Sequence, residues 1–539
     1  MTSRADLHAP QPNGRPTADT RTVAAAIDNA LIARLVDRVA AGPDAPRVTT
    51  SAPFTGAVIA ELPQTSPGEV SGVVARARHV QPAWAARAPG ERAAVLRRLY
   101  DQVIARQRQA LDLMQIEAGK ARAHAFEEIV DIAITASWHA RRGPRLLADR
   151  RRKGLLPGLT VATEVCHPRG VVGVIAPWNF PLSLALAEAL PALLAGNAVV
   201  LKPDTQAALT ALWAAEQLEQ AGLPENVLQI VVGDGPVIGP ALLAEVDFVC
   251  FTGSTPVGRT VAQQAASRLV GASLELGGKN GLYVAADADV GRAAAAAVRD
   301  CFTSAGQVCI SMERLVLHRD IAAAFLDRFV ALTERLRMGP ALDWSTDLGC
   351  LVSRTQLEHV RSHVDDAVAR GASVLTGGVP RADVGPLFYA PTVLDGVPRE
   401  AACYAQETFG PVVAVSRVAS DADAVGLIND TDYGLNASVW SRDLARARQI
   451  ARSINTGTVT INEAYTASWS AMSSPMGGRG QSGLGRRHGA QGLLRFTESQ
   501  TIAEARFGSE FLYALGGRRM AATITRALQV ARRTRLPWP

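Results

Sequence analysis

Between residues 170 and 251 the chain alternates short apolar runs with longer stretches of helical spacing, and nothing else in it constrains the fold as tightly. Residues 170–177, 198–201, 227–232 and 247–251 read as strands, and residues 182–194, 206–221 and 237–244 between them read as helices. A strand buried on both faces is nearly continuous in apolar residues, and a helix between successive strands makes them parallel. The predicted class is α/β, with a doubly wound, Rossmann-like sheet. Nucleotides bind such sheets at the carboxyl ends of the strands. No G-x-G-x-x-G is present. The loop after the last strand, Phe251-Thr252-Gly253-Ser254-Thr255-Pro256-Val257-Gly258, opens a helix. Backbone N–H groups and a hydroxyl at a helix N-terminus can hold a pyrophosphate. The same residues also make an ordinary turn and cap.

Upstream, residues 1–20 are polar and read as disordered, without the apolar core of a secretory signal. Residues 22–41 read as an amphipathic helix and residues 48–63 as a hairpin around Pro53-Phe54-Thr55-Gly56. Residues 66–85, 91–118 and 121–139 read as helices. Downstream, a second α/β unit spans residues 314–465. It is followed by a loop from Pro475 to Gly485 with five glycines in eleven residues, which calls for special backbone angles or close approach.

Composition narrows the class. At 539 residues, 48% hydrophobic and 20% charged, the chain has material for several globular units. Six scattered cysteines form no paired or metal-ligand spacing, so no metal site is expected and a reduced, cytoplasmic setting is. The net charge is +6, and six arginines without an acid lie after Leu515, so the remainder is neutral and carries no nucleic-acid footprint. No uncharged 18-residue run marks a membrane span. Only four lysines occur, Lys120, Lys153, Lys202 and Lys279, in a chain that otherwise uses arginine. A lysine that survives this bias fits where a compact ammonium is needed and a guanidinium fork is not accommodated.

Two motifs carry the chemistry. Cys301-Phe-Thr-Ser-Ala-Gly-Gln-Val-Cys309 presents a thiol after a glycine and a glutamine, and Leu274-Glu275-Leu-Gly-Gly-Lys279 presents a carboxylate beside two glycines. A nucleophile and a mobile base are the minimum for covalent attack on a carbonyl. Cys301 reads as structural.

These stretches, with Pro177-Trp178-Asn179-Phe180-Pro181, Leu201-Lys202-Pro203, Glu407-Thr408-Phe409-Gly410-Pro411 and the glycine loop, resemble the aldehyde dehydrogenase superfamily, in order, over residues 53–506. Within it the pattern is closest to a bacterial NADP-dependent succinate-semialdehyde dehydrogenase branch. The resemblance implies a cofactor-binding domain (residues 21–147 and 169–273), a catalytic domain (274–478), an oligomerisation bridge (148–168 and 495–506) and a basic tail (507–539). It implies an enzyme that oxidises an aldehyde, succinate semialdehyde among the candidates, to the acid, assembled as a homodimer or homotetramer. Cys309 would form the thiohemiacetal and thioester, Glu275 would activate water, and Asn179 with the Cys309 N–H would form the oxyanion hole. Lys202 and Glu407 would hold the riboses; Gly253 and Ser254 would meet the pyrophosphate; Phe409 and Trp178 would shape the nicotinamide groove. NAD-preferring members carry a glutamate where this chain has Thr205, which favours NADP, with NAD as the other candidate. Thr205 also reads as a helix N-cap.

Succinic semialdehyde enzymes grip the substrate carboxylate with two arginines, and the matching positions here are Ala187 and Thr303. The pocket of Leu184, Ala187, Thr303, Val308, Ile310 and Trp469 is expected to be apolar, which suits an uncharged medium-chain or aromatic aldehyde. A thiol esterase and a catalytically silent binding paralogue are the other classes. In the tail, Met520, Ile524, Leu528 and Ala531 recur at helical spacing among arginines. This fits a helix docking weakly on anionic lipid, a solvated tail, or one packed on a neighbouring subunit.

Overall fold

The computed structural model describes residues 28–153, 160–505 and 516–534, together with residues 510 and 514. The expectation of disorder over residues 1–20 lies outside them. Two α/β sheets dominate. The first has six strands in the order Gly483–Leu484, Gly271–Glu275, Phe248–Thr252, Val171–Ala176, Ala198–Pro203 and Leu228–Ile230. All its pairings are parallel except the first, where Gly483 faces Glu275 and Leu484 faces Leu274. The strands fall where the apolar runs placed them. Helix Pro181–Leu194 crosses from strand Val171–Ala176 to its neighbour Ala198–Pro203, every residue of it buried. The glycine loop therefore returns to the edge of the first sheet and covers the end of the Glu275 strand.

The second sheet has seven strands, ordered Ser373–Thr376, Thr392–Asp395, Val412–Val418, Met312–His318, Asn280–Val284, Asn436–Trp440 and Thr458–Ile461. Its edge pair is antiparallel and the remainder parallel. Thr497–Ala505, Thr160–Pro168 and Arg150–Lys153 form a separate three-stranded antiparallel sheet. The expected hairpin is present as Arg47–Ser51 paired with Val58–Pro63.

Local differences from the sequence reading have local causes. The helix expected over residues 91–118 is two helices, Pro89–Ala105 and Gln107–Ala118. They part at Arg106, whose backbone leaves the helical region, and the Gln107 side-chain amide donates to the freed Ile104 carbonyl at 3.1 Å. The helix begun near residue 121 runs as Arg122–Leu146, and Pro144 ends it within a turn. The helix sought over residues 22–41 is the short Asn29–Val36 among the described residues, capped by the Asp28 carboxylate. In the tail, Gly517–Thr534 is helical, with Ile524 and Leu528 exposed.

Candidate active site

The carboxyl ends of the first sheet, where Glu275 ends its strand, meet the amino ends of the second around Cys309, three residues before strand Met312–His318. The turn that presents it is built from unusual angles: Ser304, Ala305 and Gly306 have φ of 51°, 56° and 71°. The turn has no room to relax, since a Cβ at Gly306 would lie 1.9 Å from the Gly410 carbonyl oxygen. His124 Nδ1 accepts the Ser304 N–H at 3.1 Å. Gln307 is the pin. Its side-chain amide donates to the Ser304 and Cys350 carbonyls, and its carbonyl oxygen Oε1 accepts the Val352 N–H at 3.0 Å. Beyond it, Asn280 Nδ2 donates to the Cys309 carbonyl at 2.8 Å. The thiol is held between fixed backbone groups, partly exposed. Burial, then Glu407 and Glu275, push its pKa up to about 12, so in this state it is a thiol that needs a base.

Asn179 is buried, and its Nδ2 donates one N–H to the Gln307 carbonyl at 2.9 Å, beside the turn that presents Cys309. An amide nitrogen has two N–H groups, so one remains for an oxyanion. The Asn179 segment is anchored from below. Glu128 Oε2 accepts the Leu182 and Ser183 N–H groups at the start of helix Pro181–Leu194. Glu128 is itself paired with Lys120, whose ammonium sits 3.5 Å over the Phe180 ring. Glu275 ends its strand fully buried, and its Oε1 has no hydrogen-bond partner. Burial raises its carboxyl to about 7, while Arg487 opposes the rise. Arg487, Glu188 and Arg495 form a buried charge cluster beside it that no local sequence motif announced.

On the expected cofactor side, Lys202 is the penultimate residue of strand Ala198–Pro203, buried, with its ammonium 3.2 Å from the Pro203 carbonyl. Burial depresses its pKa; Asp204 and Asp234 act the other way. Thr205 is not the cap expected of it: Asp204 caps the short helix by accepting the Gln206 N–H, and the Thr205 hydroxyl donates to the Gly233 carbonyl at 3.3 Å. A carboxylate accepts an amide proton more strongly than a hydroxyl, which is why the cap moved one residue back. Ser254 begins helix Thr255–Ser267, exposed, and its hydroxyl makes no capping bond, so it is available to an anion. Gly253 N donates to the Glu275 carbonyl at 3.1 Å, tying this loop to the Glu275 strand. Trp178 and Phe409 meet edge to face with centroids 5.6 Å apart. Phe409 has φ of 51°, and its N–H and that of Thr408 both donate to Glu313, the buried partner of Lys279. Glu407 folds over the glycine pair instead of projecting free, its Oε1 accepting the Gly278 N–H at 2.9 Å. A Cβ at Gly277 would strike Glu407 Oε2 at 2.2 Å. Burial and Glu313 raise the Glu407 carboxyl to about 8. An uncommitted hydroxyl at a helix N-terminus, a buried ammonium at a strand end and an aromatic pair fit a dinucleotide.

The substrate side corrects one expectation. Leu184 and Ala187, one helical turn apart, and Val308 and Ile310 around the thiol are apolar and buried, as foreseen. Trp469 ends the short helix Thr466–Trp469 that follows Tyr465. Thr303, however, belongs to a polar network. It donates to the Arg299 carbonyl and lies 3.1 Å from the Tyr465 hydroxyl, which is 3.3 Å from both Glu127 carboxyl oxygens. The Arg299 guanidinium covers the Tyr465 ring and bonds Glu463 and Thr466. The residues expected to line the pocket are apolar near the thiol and polar beside Thr303. The polar half draws on segments far apart in sequence, so no spacing could reveal it.

The chain is similar to known proteins over most of its length. Residues 41–502 match the model of the aldehyde dehydrogenase family. A Mycobacterium tuberculosis protein named "Putative succinate-semialdehyde dehydrogenase NADP(+) 2" is 49% identical over 461 residues, which covers 86% of this chain and 89% of that protein. Among solved structures, an Escherichia coli protein described as an NADP dependent enzyme superposes with a TM-score of 0.82 at 32% identity, covering 85% of this chain and 95% of its own. Betaine aldehyde dehydrogenase from Staphylococcus aureus, in complex with NAD+, gives a TM-score of 0.83 at 26% identity, covering 89% and 98%.

Proposed function

The chain belongs to the aldehyde dehydrogenase family and oxidises an aldehyde to a carboxylic acid with NAD(P), and from that premise we propose that the oxidation runs covalently through Cys309, with Glu275 as base. The Cys309 sulfur adds to the carbonyl carbon as its proton passes to Glu275, and the carbonyl oxygen becomes an oxyanion held by Asn179 Nδ2 and the Cys309 N–H. Bound NAD(P) supplies the acceptor for the hydride that leaves this carbon, which becomes a thioester. Glu275, its proton released, then takes one from water. The water oxygen attacks the thioester carbon, the C–S bond breaks, and the sulfur recovers the proton. The observation that carries this reading is Glu275, a buried carboxyl with one unpartnered oxygen and a pKa near 7, facing the thiol.

Lys202, Thr205, Gly253, Ser254, Glu407, Trp178 and Phe409 would hold the cofactor. We read NADP as preferred, because the mycobacterial relative's name gives it and Thr205 puts no carboxylate against a 2′-phosphate. The names of the mycobacterial relatives support succinate semialdehyde as substrate. A second reading, an uncharged aldehyde, is favoured by Ala187 and Thr303 and by the commitment of Arg299 to Glu463. Single-turnover formation of reduced cofactor with NADP and NAD, over succinate semialdehyde and matched uncharged aldehydes, separates the readings, with Cys309→Ala as control. Selectivity for succinate semialdehyde supports the first reading, and selectivity for uncharged aldehydes the second. Cofactor reduction by the Cys309→Ala protein would overturn the covalent route.

We read the enzyme as cytoplasmic and homo-oligomeric. Strand Thr497–Ala505 is exposed beyond its first residue and forms one edge of its sheet, which invites pairing with a second copy. A monomeric mass by light scattering would refute this. The arginine-bearing helix Gly517–Thr534 we read as a weak contact for anionic lipid, to be checked by vesicle pelleting with and without the tail. Equal sedimentation of the two forms would count against it.

A further inference from the structure

We propose that the buried pair Arg487 and Glu188 is a positioning device that sets the charge state of Glu275, and with it the pH at which the thioester is hydrolysed. The proposal rests on the reading of Glu275 as base.

The geometry is specific. Arg487 is the second residue after the glycine loop and exchanges both backbone hydrogen bonds with Met476, at 2.6 and 2.9 Å. The next residue after Met476, Gly477, abuts the base: a Cβ there would lie 3.1 Å from Glu275 Oε1. The loop thus fixes the Arg487 backbone against the residue that walls Glu275. The Arg487 side chain is buried, with Nε 2.9 Å from Glu188 Oε1, yet this Nε makes no aligned hydrogen bond. The contact acts by charge more than by hydrogen-bond direction. The second Glu188 oxygen is taken by Arg495, whose Nη1 donates to Ser273 Oγ at 2.5 Å. Ser273 lies two residues before Glu275 on the same strand, hence on the same face.

Two arginines against one glutamate leave a surplus positive charge in the interior. The other groups around it are few. Arg486 faces Glu275 from the loop, the Cys309 thiol faces Arg487, and the Cys250 thiol faces Glu188. Asp131, on helix Arg122–Leu146, faces Arg487, and burial lifts it to about 6. Burial keeps His139 and His488 neutral at neutral pH. Burial works against ionised Glu188, but Arg495 and Arg487 outweigh it. The surplus is answered by Asp131 and by Glu275 itself. Arg487 favours the Glu275 carboxylate, and Glu188 disfavours it. The two partners of one ion pair therefore act on the base with opposite signs, as a positive and a negative charge beside a carboxyl must.

The test reads the acid limb of cofactor-free hydrolysis of an activated aryl ester, at saturating ester, in the full-length protein. Arg487→Met removes the favourable charge and should move the limb up by about one pH unit; Glu188→Gln should move it down by about as much. Arg487→Lys should restore the wild-type limb, and the double variant R487M/E188Q should lie near it. If Arg487→Met fails to fold, Glu188→Gln and the double variant carry the test. Shifts of the same sign, or limbs that stay at the wild-type position, overturn the proposal. Glu275→Gln separates the two layers. If it abolishes the limb while the pair's variants leave theirs unmoved, the pair's role alone fails. If it keeps the wild-type limb, the base assignment fails and the proposal with it.

Discussion

Glu275→Gln should make the protein more stable at alkaline pH while it stalls turnover. The carboxyl sits at about 7 in the fold against an ordinary value of 4.5, and burial is the main cause. The sign follows from which state binds the proton more tightly. The folded state does, so ionisation costs folding energy. The cost is absent below about pH 4.5, grows between there and about pH 7, and is complete above it. A rise of about 2.5 units at about 1.4 kcal/mol each is about 3.5 kcal/mol. Unfolding entropy of about 2.1 cal/mol/K per residue over some 500 residues is about 1 kcal/mol/K, so Tm should rise by about 3 °C. The assay is a thermal melt of both proteins at pH 5 and at pH 8.5. Every other titrating group is common to the two, so the difference between them isolates Glu275. Glutamine keeps the shape and cannot ionise, so the gain should appear at pH 8.5 and nearly vanish at pH 5. An equal difference at both pH values, or a loss at pH 8.5, would refute the assignment of a raised carboxyl. In the same protein both the single turnover of reduced cofactor and acid release should be lost, because Glu275 takes the thiol proton as well as the water proton.

Three other substitutions probe the frame of the site. Gly306→Ala forces a Cβ to within 1.9 Å of the Gly410 carbonyl at a φ of 71°, so strain and overlap of about 2–6 kcal/mol should lower Tm and abolish activity together. Lys120→Met leaves Glu128 buried and unpaired beneath the Asn179 helix, which should cost about 3–5 kcal/mol in a thermal melt, and Lys120→Arg should not rescue it. Thr205→Glu places a carboxylate where a 2′-phosphate would bind, so kcat/KM with NADP should fall at least about tenfold relative to NAD; an unchanged ratio would remove Thr205 from cofactor choice.

What the sequence made legible follows from the range over which each force acts. Strand and helix order between residues 170 and 251 was readable because burial on both faces of a parallel strand is written into consecutive residues. The lysine bias was readable for a different reason. Lys120, Lys202 and Lys279 all proved buried, the first and last in ion pairs with Glu128 and Glu313, where a compact ammonium packs into a tight carboxylate site. The break at Arg106 was not readable, because both flanking segments keep apolar spacing and one side-chain bond from Gln107 decides the end. The polar network beside Thr303 was unreadable in principle. Thr303, Tyr465 and Glu127 are brought together by three elements, and none carries a spacing that names the others. The same holds for Arg487, Glu188 and Arg495. A nucleophile and a base announce themselves because glycines must surround them for the backbone to turn. The charges that tune the base are free to come from anywhere the fold brings close, so their identities are set by packing and not by motif. Substrate choice and pH response, which depend on such groups, are therefore the properties a family match constrains least and substitutions at Arg299, Glu188 and Arg487 would report most directly.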